Sequence, residues 1–455
     1  MRSAAGILVL AGALTGCQTY ESSALDAPAH RRVWRDRTPA APEVLDAAAR
    51  LDGGADAAPF SLDDGLSLRE AEAVALVFNP DLRQARARAG VSAASAAHAG
   101  IVQDPVLSGD IARIIDDVDD RWMGAAVVGF TIPISGRLEA ERERAGAEHE
   151  ADILRVYAQE WQTRLSLRVA WTEWSVASRR IEVLDLFLAE LSSLVRTVDA
   201  IENAGEIAPV DARLFTLERA SRTAQRASAL GELVRARARI YRLLGLDHRQ
   251  QLELTPSVVL APVATTSIAA EWESIGHPDV LVAQAEHDAA DRAFALEIRK
   301  QYPDIVIGPG FGHEDGNDRV ILGFSAPIPL FNRNRQGVEV AKAARESARI
   351  GYETTLERLE ADLAEGRVGL EAARMTREVL ERDVTPIADR QHDEALRIAE
   401  LGEVDTLLLL ESLKRRFETR LGVLEAMRLE SLASIGVRGA LGPERPAAAR
   451  EATQP

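Results

Sequence analysis

The sequence predicts a mainly helical protomer with a small β part, built twice over. Three observations carry this. The chain is 46% apolar and 27% charged but only 5% aromatic, with Ala, Leu, Arg and Glu throughout, a mix that suits long packed helices better than a sandwich or a compact enzyme. Apolar residues at three- and four-residue spacing give way twice to short runs rich in Val, Ile, Phe and Gly, as helices give way to strands. Finally, the anchors of the first half recur in the second, at offsets of 196 to 198 positions. Pro80 answers to Pro278, Pro105 to Pro303, Pro133 to Pro329 and Gly205 to Gly402.

The N-terminus comes first. Arg2, an apolar run from Ala4 to Leu14, and then Leu14-Thr15-Gly16-Cys17 read as an export signal too short to span a bilayer. The run resembles a bacterial lipoprotein signal over residues 1–16, which makes Cys17 the lipidated residue and new N-terminus. Gln18, being non-acidic, implies sorting to the outer membrane. Cys17 is the only cysteine, which excludes disulfides and thiolate metal sites. Residues 17–65 are expected to be a lipid anchor and extended segment, with 18–60 a mobile tether or an irregular belt.

The first repeat is assigned to 66–255 and the second to 256–441, with 442–455 a disordered tail. Each opens on a helix, Leu68 to Ile101 and Pro278 to Lys300. A β-hairpin follows, within 105–134 and 303–330, its strands near Val106 to Ile115, Trp122 to Ile134, Ile305 to Gly312 and Val320 to Ile328. Proline has no N–H for a ladder, so Pro133, Pro327 and Pro329 end strands and mark strand-to-helix joints. Long helices then run from about Leu138 to Asn203 and from about Val338 to Leu401, roughly 95 Å each at 1.5 Å per residue. Turns at Gly205 and Gly402 send return helices back over Val210 to Leu243 and Val404 to Leu432.

Four strands cannot close into a barrel with a useful interior, and open edges in water invite aggregation. In the fourth, Val320, Leu322, Phe324, Ala326 and Ile328 alternate with Ile321, Gly323, Ser325 and Pro327; in the first, Leu107 and Ile111 alternate with Ser108 and Asp110. This is the alternation of a transmembrane barrel. No stretch of 18 apolar residues exists, so a spanning segment has to be β, closed by several chains together.

From Leu66 to Leu441 the chain resembles the outer-membrane efflux factors, TolC-like. The resemblance rests on "LSLREAEAVALVFNPDL", "HPDVLVAQAEHDAADRA", "PIPLFNRNRQG" and two "GE" turns, in that order and duplicated. It implies a homotrimer in the outer membrane of a Gram-negative bacterium, with a 12-stranded barrel in the lipid and a periplasmic α-helical barrel below. A periplasmic adaptor protein and an inner-membrane pump, of resistance-nodulation-division (RND) type, would complete the assembly. The "PLFNRNRQG" wording most resembles the heavy-metal cation (CzcC-like) branch. The tips would dock the adaptor through Gly205, Glu206, Asp211, Gly402 and Glu403, while Asp405 and Glu411 would form the pore gate. Leu408 stands where some relatives have a second acidic ring.

Other functions are read against this one. A net charge of −17 argues against a nucleic-acid partner. The eight histidines are scattered without ligand spacing, so neither a metal nor a cofactor is expected. No Ser/His/Asp arrangement, phosphate loop or Walker lysine appears, so the chain is not expected to be an enzyme and another protein must supply energy. Two alternatives keep the helices: an outer-membrane duct for ABC-driven protein secretion, and a lipid-anchored periplasmic coiled-coil scaffold. The Pro-bounded hairpins disfavour the scaffold, because a rod needs no strands.

Overall fold

The structure, a computed structural model, describes residues 20–52, 60–115, 121–258, 276–314, 317–401 and 405–443. Cys17, Gly402, Glu403, the Asp116–Asp120 loop and most of the tail lie outside the described residues. Within the segment read as a tether or irregular belt are two helices, α1 (Ala27–Arg35) and α2 (Pro42–Asp52). They are docked, not trailing. Trp34 Nε1 and Arg37 Nη1 donate to the Gly245 carbonyl at 3.0 and 2.8 Å, and Gln250 Nε2 donates to the Arg35 and Arg37 carbonyls.

The opening helix of the first half is two helices, α3 (Leu68–Phe78) and α4 (Pro80–Ala97), where the apolar spacing suggested one. Pro80 pushes Asn79 out of the helical region to φ −54°, ψ 128°. The Asn79 side chain then accepts from Leu82 N and donates to the Leu243 carbonyl, capping one helix while tying it to another. In the second half His277 stands before Pro278 in the same way, its ring accepting from Asp279 N to start α7 (Pro278–Arg299).

Four antiparallel strands form one meander, β1 (Val106–Ile114), β2 (Arg121–Ile132), β3 (Ile305–Glu314) and β4 (Asn317–Ser325), in the order β1-β2-β3-β4. β4 ends three residues before the expected Ile328. Its partner β3 begins only at Ile305, so no ladder remains for Ala326 to Ile328, and Pro327 has no N–H to give one. Pro133 directly follows β2, and Pro327 and Pro329 lie in the irregular stretch after β4.

Below the sheet run two long arms. In the first, α5 (Arg137–Asn203) is a single helix of 67 residues, about 100 Å long at 1.5 Å per residue, and α6 (Pro209–Leu244) returns along it. In the second, α8 (Arg335–Val379) leads into a π-turn (Leu380–Val384) and then α9 (Thr385–Glu400), and α10 (Thr406–Leu441) returns. Both arms begin at a left-handed residue, Gly136 at φ 72° and Asn334 at φ 50°. Asn334 Nδ2 donates to Glu297 at the end of α7, to the carbonyl at 2.8 Å and to Oε2 at 2.7 Å, so the "FNRN" stretch pins the start of α8 to α7.

Three apolar clusters hold the helices, and one of them joins the two arms. Near the middle, Leu167, Trp171 and Trp174 of α5 pack with Ile240 and Leu244 of α6 and with Val44 of α2 and Val74 of α3. Towards the tips, Leu184, Phe187 and Leu191 of α5 meet Phe215 of α6 and Leu413 and Phe417 of α10, with the Phe187 and Phe417 rings 4.3 Å apart. Leu363 and Leu370 of α8 pack on Val437 of α10. Each fully buried Leu or Phe contributes on the order of 2 kcal/mol, so the cluster towards the tips fixes the two arms to each other there.

Candidate functional site

The sheet divides its residues by face. Leu107 stands opposite Val128, Phe130 opposite Ile307, and Ile307 opposite Phe324. With Ile111, Phe311, Val320 and Leu322 they cover one face, and it is open: Val320, Leu322 and Phe324 are 86%, 75% and 86% exposed. The opposite face carries Ser108, Asp110, Thr131, Gly308, Gly310 and Gly312. A Cβ on Gly308 would lie 2.6 Å from Val127 Cγ1, and one on Gly310 2.6 Å from the Ala126 carbonyl. Only glycine allows β2 to approach β3 so closely on this face. Among the described residues no helix is long and apolar enough to cross a membrane.

At the far end of the first arm, Gly205 N donates to the Glu202 carbonyl and Glu206 N to the Ile201 carbonyl, a Schellman motif. Gly205 is needed for its φ of 78°, not for space, since a Cβ there would meet nothing within 4 Å. Glu206 is exposed, and Asp211 lies in the first turn of α6, where a carboxylate faces the helix N-terminus. In the second arm Asp405 caps α10, its carboxylate accepting from Leu408 N at 3.0 Å. Glu411 is exposed and pairs with Arg415 at 3.2 Å and Lys414 at 4.0 Å. The two acidic residues proposed from sequence thus differ: one is a helix cap, the other an ion-paired surface group.

Three polar clusters escaped the sequence reading. Glu72 of α3, buried, receives Arg164 Nε at 2.8 Å and Arg168 Nε at 2.6 Å from α5. Glu430 of α10, also buried, receives Arg374 at 3.4 Å and Arg377 at 2.5 Å from α8. The third holds His392 of α9, whose side chain has no exposed surface. Its Nε2 lies 2.8 Å from Glu190 Oε1 of α5 and its Nδ1 3.1 Å from Ser412 Oγ of α10. Hydrogen bonding from His392, with the charges of the ring, Arg416 and Arg420 behind it, outweighs burial and holds the Glu190 carboxyl below its ordinary range. The signal available was the lone polar residue in an apolar helical stripe; the partners lie too far along the chain to be read. Among the described residues no group of three or more His, Cys, Asp or Glu is placed to hold a metal ion.

Solved structures share this architecture. The outer-membrane channel OprN superposes with a TM-score of 0.72, covering 94% of this chain and 98% of that one at 17% identity. The chain has the fold of an outer-membrane channel of this kind. CusC, whose structures concern folding and transmembrane channel formation, matches this chain with a TM-score of 0.69 over 82% of it and 92% of CusC, also at 17% identity. Among curated proteins, the cobalt-zinc-cadmium resistance protein CzcC of Cupriavidus metallidurans is 26% identical over 226 residues, 49% of this chain and 54% of that protein. The nickel-cobalt-cadmium resistance protein NccC of Alcaligenes xylosoxydans xylosoxydans is 35% identical over 92 residues, 19% and 20% of the two chains. The chain thus spans about half the length of the first relative and a fifth of the second. No family model matches.

Proposed function

We propose that three copies of this chain close a twelve-stranded barrel through the outer membrane and act as the passive exit duct of an efflux system. The observation that carries this reading is the sheet: an apolar face left open, with the edges at β1 and β4 unpaired among the described residues. In lipid such edges have to be satisfied by another strand, and a heterologous edge-to-edge contact closes into a ring. The arms would extend the duct into the periplasm, towards an adaptor and an inner-membrane pump. The resistance named for CzcC and NccC makes heavy-metal cations the cargo we favour and a pump of RND type the partner. The chain is a conduit, not an enzyme.

Cys17 would carry the lipid anchor in addition to the barrel, so Cys17→Ser should remove the lipid yet leave trimers, which mass spectrometry of the mature N-terminus and particle mass together read. Light scattering corrected for detergent should give a particle three chains in mass; a stable monomer would overturn the barrel. The pore itself is tested in planar bilayers. Three copies of Glu411 around a narrow axis would favour cations. Glu411→Gln should then lower cation selectivity, read as reversal potential under a salt gradient, whereas Asp405→Asn, with Gly205, Glu206, Asp211, Gly402 and Glu403 beside the turns, should act on adaptor docking. A shift with Asp405→Asn alone would invert the assignment.

A further inference from the structure

Between α2, α3, α5 and α10 lies a cavity of about 430 Å³, within the range of about 300 to 1,000 Å³ that small-molecule sites occupy. Arg69, Arg164, Arg168 and Arg438 line it against a single carboxylate, Glu72. The chain as a whole carries a net charge of −17, so this wall reverses its sign. Another cavity, between α5, α6 and α10, sets four arginines against three glutamates and nearly balances.

The buried Glu72 carboxylate fixes two of these arginines by one edge only. Its Oε2 accepts from Arg164 Nε at 2.8 Å and its Oε1 from Arg168 Nε at 2.6 Å, while the Nη groups of both arginines donate to nothing among the described residues. They are not sealed in. Among the described residues the only buried side-chain atoms without a partner are Arg144 Nε and Asp304 Oδ1, so the Nη edges of these two cavity-lining side chains meet solvent. Arg164 is held further by the Trp161 ring, whose centroid lies 5.7 Å from its Cζ. Glu72 cancels one of the two charges and leaves the other. Arg69 and Arg438 are already engaged and only add to the positive field, whereas Leu51, Leu68 and Ile435 give the cavity an apolar wall.

We propose that this cavity binds a small organic anion, a single carboxylate on a short apolar body. The carboxylate takes N–H donors from the spare edges of Arg164 and Arg168, which the planar guanidinium fork suits, and the body lies on Leu51, Leu68 and Ile435. Glu72 prepares the site by holding both forks in place before the ligand arrives. A ligand so placed touches α5 of the first arm and α10 of the second, together with α2 and α3. The site lies among helices and needs no pore, so it stands apart from the duct reading.

The test is isothermal titration of the full-length protein in detergent with hexanoate, its neutral isostere hexanamide and inorganic phosphate, all at one ionic strength. Hexanoate should bind once per chain and at least about tenfold more tightly than hexanamide, the factor one charge-assisted hydrogen bond supplies. Phosphate, which has no apolar part, should bind more weakly than hexanoate. Arg168→Gln should weaken hexanoate by about tenfold or more. Ile435→Trp fills the cavity from its apolar wall, leaves the ion pairs in place and should abolish binding, whereas Arg349→Gln, at an exposed guanidinium of α8, should leave binding unchanged. If Arg168→Gln fails to fold, Ile435→Trp and the three probes on the unmodified protein decide. Hexanoate held no better than hexanamide, phosphate held more tightly than hexanoate, or full hexanoate binding in folded Ile435→Trp overturns the site.

Discussion

From Arg137 to Asn203 the first arm is one uninterrupted α-helix, whereas the second, from Arg335 to Glu400, passes through a π-turn at Leu380–Val384. The π-turn holds one residue more than an α-turn, which rotates every later side chain by about 100°. Thr385 helps to hold it, giving its hydroxyl proton to the Leu380 carbonyl at 2.8 Å. Pro386 follows at once; in a regular helix its ring would clash with the carbonyl four residues back. The wider turn removes that clash and sets the phase of α9, bringing His392 to Ser412 and Glu190. The two arms thus differ: one is a strut, the other is broken and re-phased just before its tip.

The sharpest way to break this contrast is to remove the extra residue. Deleting Arg382 should restore a regular helix around Pro386 and destabilise the second arm by roughly 3 kcal/mol, the usual cost of an interior proline. Adding Pro386→Ala to the deletion should recover most of it. Thermal unfolding in detergent, followed by circular dichroism, reads both variants; an unchanged midpoint for the deletion alone would mean that the π-turn relieves no clash.

The two buried glutamates sharpen the comparison further. Glu72→Gln should cost about 2 kcal/mol and Glu430→Gln about 1, both below the full loss of a buried pair because the amide still accepts. The order follows from solvent access: Arg164 and Arg168 are 25% and 18% exposed, whereas Arg374 is 41% exposed and can turn to water. Denaturant midpoints of the two variants side by side test it, and the reverse order would refute the reasoning.

At the head of the second arm, Asn334→Ala should cost about 1 kcal/mol, since it removes both bonds to Glu297 and puts alanine, which tolerates positive φ less well than asparagine, at φ 50°. Asn334→Gly should recover the backbone part only. The smallest effect concerns acid. The hydrogen bond from Arg428 to Glu425, reinforced by the charges of Arg428 and Arg180, holds that carboxyl below its ordinary range despite some burial. A depressed carboxyl contributes stability above its unfolded value and loses it as pH falls through the folded one. Glu425→Gln should therefore flatten the acid limb of the stability curve by a few tenths of a kcal/mol, no more than a partly exposed pair supplies. Melting points between about pH 3 and pH 7 measure it.

The sequence by itself determined the order of elements in each half, the strands of the two hairpins, the long helices and the first tip turn, because each is a local matter of period, proline placement or a residue at positive φ. Proline also made Asn79 legible in principle, though apolar spacing across it suggested one helix. What lies beyond about twenty residues of separation only the tertiary structure decided. Glu190 and His392 are 202 positions apart, Trp34 and Gly245 are 211, and no periodicity links them. The same holds for the docked N-terminal helices, whose composition reads as a tether until the carbonyls that receive Trp34 and Arg37 are in place. The need for glycine at 308 and 310 likewise comes from Val127 and the Ala126 carbonyl, across a contact between strands from the two halves of the chain. Periodicity fixes which residues share a face of one element; only packing decides which element that face meets, because the burial energy is collected between elements and not within them.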